Sequence, residues 1–187
     1  MTTQLEEFTQ FIADFSREAL KKSGYLPPMF IIHREGELYF FNPDMEDDEA
    51  KSQSAFMMRL LVNYLNADMV VFATEAWMRT EITKKGETLD QAMKRQTKRV
   101  SESPDRMEVL MINGESQTQA CNNIYEIKRD NKEVITGFEK QPFISKSGNY
   151  EGRFAEFFKP LDDKITKSFK DWAKNTTSKI KSNIRWH

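Results

Sequence analysis

The sequence is poor in the residues that build specialised chemistry. Its 187 residues hold one cysteine, Cys121, two histidines, His33 and His187, seven glycines and six prolines. A single cysteine excludes an internal disulfide framework and a thiolate-clustered metal site. Two distant histidines give neither a His-x-x-x-His nor a His-x-His pair, so no metal is expected. The dispersed glycines leave no Walker loop, no Gly-x-Gly-x-x-Gly fingerprint and no Gly-x-Ser-x-Gly elbow, so no nucleotide cofactor or serine nucleophile is expected. No apolar run approaches the roughly 18 residues of a membrane span. The first ten residues, MTTQLEEFTQ, are polar and acidic, unlike a secretory signal. The expectation is therefore a soluble, cytoplasmic protein without a cofactor.

What is present is the material of a folded core. Fourteen Phe, ten Met and three Trp are too many large apolar side chains for a disordered chain. Basic and acidic residues nearly balance, 28 against 29, but not evenly along the chain. The first 80 residues are acidic, whereas from Lys164 onward seven Lys and Arg face only Asp171.

Leu5, Phe8, Phe11, Ile12 and Phe15 recur at helical spacing and predict an amphipathic helix from about Thr3 to Lys22. Thr3 and Glu6 form a capping-box pattern, and Gly24 with Pro27-Pro28 stops the helix. Met29–Ile32 and Leu38–Phe41 flank Gly36 and read as a hairpin. The acidic run 44–49 sits where a helix N-terminus favours negative charge, and Phe56, Leu60, Leu61 and Tyr64 follow at helical spacing. Phe8, Phe11, Phe15, Phe56, Leu60 and Tyr64 are expected to be buried.

Met69–Trp77 reads as a central strand, apolar on both faces in its first half. Thr88–Val100 reads as a basic surface helix. Met107–Asn113, Ser116–Arg129 and Glu133–Phe138 read as a three-strand antiparallel meander turning at Gly114-Glu115 and Asp130-Asn131. Gly152–Phe158 reads as a short aromatic-rich helix packing back on the domain. Lys164–Asn183 reads as a basic helix with Ile165, Phe169, Trp172, Thr176 and Ile180 on one face. The expected architecture is α+β: an antiparallel sheet of five or six strands backed by the two N-terminal helices, with a basic C-terminal helix. The expected organisation is one domain over residues 1–158 and a helical extension over 159–187.

Three constellations carry possible chemistry. Cys121 and His33 would form a thiol–imidazole dyad if their strands were neighbours; otherwise Cys121 is a small strand residue. Pairing of Met69–Trp77 with Met107–Met111 would bring Glu75, Arg106 and Glu108 to one sheet edge, with Asp105 nearby. Two carboxylates and an arginine can build a polar pocket for acid–base work, or an ion-pair cluster that fixes register. The tail offers Phe169, Trp172, Lys167, Lys170 and Lys174 as a binding face. Lysines with aromatics can bind phosphates and bases, but a pI near 6.2 argues against a dedicated nucleic-acid protein.

The TEAWM of residues 74–78, followed by SESPDRMEVLMI at 101–112, resembles a pattern in small phage and bacterial proteins of no assigned activity. In those, a Ser-Glu-Ala-Trp-like strand precedes a Pro-Asp-Arg turn and a second apolar strand. The resemblance spans roughly residues 68–113, under a third of the chain, and Thr74 stands where the pattern has Ser. It implies a phage or bacterial origin and no catalytic residue or cofactor. The leading expectation is a non-enzymatic macromolecule-interaction protein, a phage accessory or host-interaction protein that binds a protein partner or its own copies. The alternatives are a small enzyme or ligand-binding domain with the carboxylate–arginine pocket, and a nucleic-acid binder using the basic helices.

Overall fold

The computed structural model describes residues 2–79, 86, 88, 91, 100–142, 154–159 and 167–186. Helix α1 (Gln4–Ser23) begins at a complete capping box. The Thr3 amide donates to Glu6 Oε2 at 2.7 Å, and the Glu6 amide donates to Thr3 Oγ1 at 3.3 Å. It ends at Gly24, whose φ of 73° closes the helix in the left-handed region. Strands β1 (Met29–Arg34) and β2 (Glu37–Phe41) form the expected hairpin, turning on Glu35 and Gly36 at φ 49° and 81°. Two positive φ angles match the twist of a two-residue hairpin turn.

Helix α2 (Asp48–Leu65) is capped by Asp47, whose Oδ1 accepts from the Ala50 amide at 2.8 Å. Then follow β3 (Met69–Met78), a 3₁₀ turn at Val100–Glu102, β4 (Met107–Ser116), β5 (Ala120–Arg129), β6 (Ile135–Lys140), α3 (Lys167–Ile180) and β7 (Lys181–Arg185). These strands pair antiparallel in the order β6-β5-β4-β3-β1-β2-β7.

The sheet is the middle of three layers. Leu5, Phe8, Ile12 and Leu20 of α1 pack on Ile31, Val71, Leu110, Ile112 and Tyr125. Met58, Leu61, Val62 and Leu65 of α2, with Ala173 of α3, pack on Phe30, Ile32, Val70 and Phe72 of the opposite face. β3 is apolar on both faces because both are covered. The fold is α+β as expected, with three corrections.

First, the two N-terminal helices lie on opposite faces rather than backing the sheet together, because α2 joins α3. Second, the sheet has seven strands among the described residues. The tail helix stops at Ile180 and the chain extends as β7 along β2, where Lys181 Nζ meets Glu37 Oε1 at 2.6 Å. Third, β4 does not turn at Gly114-Glu115 but runs on to Ser116. Gly114 is where α1 crosses the strand: an added Cβ would overlap Thr9 Oγ1 and touch Leu5 Cδ1 at 3.3 Å. The glycine serves helix–sheet contact rather than a turn.

The buried stripe of α1 also differs from expectation. Leu5, Phe8, Thr9, Ile12, Ala13, Ser16 and Leu20 are buried, while Phe11 is half-buried and Phe15 exposed. Small side chains at the stripe's centre let the helix sit close over Gly114, and the larger rings are pushed to its flanks. In α2, Leu60 is buried as expected, but Phe56 and Tyr64 are exposed.

Residues 154–159 form turns rather than a helix. They do pack back: Phe154 and Phe157 join Phe30 and Phe72, with ring centroids 4.5 to 5.7 Å apart. Arg59 Nη2 donates to the Ala155 carbonyl at 3.2 Å. The backbone amides of Glu156, Phe157 and Phe158 bond the Glu115 carboxylate, whose pKa burial nevertheless raises. The basic helix expected over Thr88–Val100 lies mostly outside the described residues.

Candidate functional site

The carboxylate corner forms, with a different arginine. β3 and β4 pair with Trp77 opposite Glu108 and Glu75 opposite Leu110, which sets the two carboxylates diagonally on the α1 face. Arg129, the last residue of β5, grips Glu108 through Nε at 2.8 Å and Nη2 at 2.7 Å. Its Nη2 also lies 3.8 Å from Glu75 Oε2, and Nη1 donates to the Glu133 carbonyl at 3.0 Å. Glu75 Oε1 accepts from the Leu26 amide at 2.5 Å, just beyond the end of α1.

Arg106 is elsewhere: its guanidinium lies 4.7 Å from the centre of the exposed Trp77 ring. Asp105 is exposed in the turn before β4. The structure thus joins Glu75 and Glu108, and leaves Asp105 and Arg106 outside the ion-pair cluster. Arg129 was missed in the sequence. The meander itself carried the signal, since an antiparallel β4–β5 pair sets the end of β5 beside the start of β4.

Burial is the main influence raising the Glu75 pKa above the ordinary carboxylate value, and neighbouring Glu108 adds to it. The Leu26 amide and Arg129 oppose the rise. Hydrogen bonding to Glu108 is the main reason the Arg129 pKa is raised. A carboxyl that resists ionisation beside a second carboxyl is the raw material of acid–base chemistry. Here both oxygens of Glu108 are held by Arg129, and Glu75 tethers the loop after α1.

The Cys121–His33 dyad does not form. Their strands, β5 and β1, are separated by β4 and β3. Cys121 faces Thr9 of α1, and burial raises its thiol pKa, away from the thiolate a nucleophile needs. His33 is buried, with Nδ1 3.3 Å from Asp68 Oδ2 and Nε2 accepting from the Gly36 amide at 3.0 Å. Its ring packs against Phe8 and Trp186. The acidic run 44–49 is used in capping α2, and no three His, Cys, Asp or Glu among the described residues are placed to hold a metal ion.

Neither of two clefts lined by described residues includes Glu75, Asp105, Arg106 or Glu108. One, of about 1190 Å³, opens between the acidic face of α1 and β5, with Glu6, Gln10, Asp14, Asn122 and Gln141 on its walls. The other, of about 390 Å³, lies between α2 and α3 and is lined by Gln53, Phe56, Met57, Leu60, Ser168, Phe169 and Trp172. Phe56 and Phe169 meet edge to face at 5.9 Å, and each keeps 40% of its surface in solvent. Lys170 and Lys174 are exposed on the same helix as Phe169. Trp172 is half-buried. Lys167 opens α3, and its side chain lies outside the described residues.

No protein-family model, curated protein or solved structure matches this chain. No helix among the described residues is long and apolar enough to cross a membrane.

Proposed function

We propose that this chain is a non-enzymatic interaction protein that docks a protein partner on the α2–α3 cleft, in a phage accessory or host-interaction role in the cytoplasm. The observation that carries this reading is the Phe56–Phe169 pair. Two large rings left 40% exposed at the mouth of an apolar cleft form a surface that a partner's apolar side chain can complete. The grip of Arg129 on Glu108 and the bond from the Leu26 amide to Glu75 support the same reading, because they give that corner a structural use. Only the resemblance at residues 68–113 supports the phage or bacterial setting.

Differential capture tests the reading. Wild-type protein and the variants Phe56→Ser and Phe169→Ser are immobilised and exposed to extract of the source organism. The expected result is a protein recovered by the wild type and lost by both variants, all three with the same circular dichroism. Equal recovery by all three would refute the assignment of the cleft.

A further inference from the structure

The cleft between α1 and β5 has a buried amide in its floor. Asn123 alternates along β5 with Cys121 and Tyr125 on the face that packs against α1. It is 6% exposed and lines the cleft. Among the described residues its side chain makes no hydrogen bond. A primary amide offers two donors and two acceptor lone pairs. Burying them unbonded costs stability, and a leucine of similar size would carry no such cost. A polar side chain kept at that cost, and turned into an open cleft, points to a ligand.

The walls carry donors and acceptors with little net charge. Asp14 is paired with Arg17 and accepts from Gln10 Nε2 at 3.0 Å. Glu6 accepts from the Thr3 amide in the capping box. Of the charged lining residues that leaves Glu7 on α1 and Lys140 at the end of β6, one of each sign and both exposed. The half-buried Phe11 adds an apolar ring.

We propose that this cleft binds a neutral oligosaccharide, with neighbouring hydroxyls of one ring bonded to the Asn123 amide and another ring resting on Phe11. A hydroxyl both donates and accepts, so one sugar chain can use an amide, a carboxylate oxygen and an ammonium in turn. A polyamine would meet Lys140 and find Asp14 already neutralised by Arg17. An anion would meet Glu6 and Glu7. The volume of about 1190 Å³ exceeds the roughly 300–1,000 Å³ of ordinary small-molecule sites, which selects a chain of rings over a single one. The site lies on the opposite face of the sheet from the α2–α3 cleft and stands independently of it.

Titration of nitrogen-labelled protein with maltotetraose, cellotetraose, xylotetraose and tetra-N-acetylchitotetraose, each separately, tests the proposal. At least one should bind with a Kd of about 1 mM or tighter and shift the Asn123 side-chain amide signals. Asn123→Leu should weaken that sugar about tenfold or more and melt at the same or a higher temperature. Glu7→Ala, at an exposed position, should keep the melting temperature and also weaken binding.

Binding of none of the four would overturn the proposal. So would binding that leaves the Asn123 signals in place and both variants unaffected. Binding of spermidine and of no sugar would overturn the neutral ligand and assign the cleft to a polycation. A lower melting temperature for Asn123→Leu would show the amide to be bonded within the fold and overturn the premise.

Discussion

Arg129→Met separates a structural ion-pair cluster from a functional carboxylate site. Methionine keeps much of the aliphatic stem and removes the guanidinium. Glu108 then loses two charge-assisted hydrogen bonds, and Glu75 loses the cation 3.8 Å away. The three side chains are 17% to 21% exposed, so solvent screens them only in part. Charged hydrogen bonds of this kind contribute about 1.5–3 kcal/mol, and stranding a fully buried charge costs about 3–5 kcal/mol. A partly exposed cluster should lose about 2–3 kcal/mol at neutral pH, or roughly 4–12 °C in melting temperature.

The loss should depend on pH. The Glu75 pKa is already raised, so its contribution is fully present below the unfolded pKa and is lost as pH rises through the folded one. Removing Arg129 raises the folded pKa further and enlarges that loss. The variant should therefore be most destabilised near pH 8 and recover as pH falls toward about 5. Glu75→Gln in the Arg129→Met background keeps an acceptor for the Leu26 amide and removes one of the two charges. It should restore about half the loss at pH 8. Differential scanning calorimetry of wild type, single and double variants at both pH values is the assay. A deficit independent of pH, or no rescue by Gln, would refute the reasoning.

Gly114→Ala should destabilise by about 1–3 kcal/mol through the overlap with Thr9 Oγ1, and Thr9→Ala should recover most of it in urea unfolding; a neutral Gly114→Ala would deny the close approach of α1. Leu60→Ala should cost about 2–5 kcal/mol, whereas exposed Phe15→Ala should cost less than about 1.5 kcal/mol; equal costs in denaturant titration would contradict the burial pattern. Deleting residues 163–187 removes β7 from β2, buried Ala173 from the α2 layer and the Trp186 ring from Phe8 and His33, so the truncated chain should melt lower and bind an apolar dye; unchanged melting would show the tail to be dispensable.

Local signals survived folding where nothing distant competed with them. The Thr3–Glu6 box, the Gly36 hairpin and the apolar run of β3 each follow from neighbouring residues, and all were legible. Gly114 was not, because its reason is a helix 100 residues earlier in the chain. Phe11 and Phe15 misled because ring size weighed more in the periodicity than the small Thr9, Ala13 and Ser16 that allow α1 to approach the sheet. The carboxylates of the corner were legible from the strand pairing, but Arg106 was nearer in sequence than Arg129 and took its place. In the tail, Phe169 and Trp172 were legible as a contact face. Their companions Phe56 and Met57 were hidden in the stripe of α2, since one helix cannot reveal which of its flanks a second helix will frame.

The three tryptophans stand at three different places, which makes their indole N–H signals a direct map of where a partner binds. Trp172 lines the α2–α3 cleft, Trp77 lies under Arg106 beside the carboxylate corner, and Trp186 packs on Phe8 and His33. A nitrogen–proton correlation spectrum of labelled protein, assigned with single Trp→Phe variants, would be recorded while the captured partner is added. The account predicts that the Trp172 signal shifts or broadens with saturation while the Trp77 signal stays in place. A Trp77 signal that moves while Trp172 does not would contradict it.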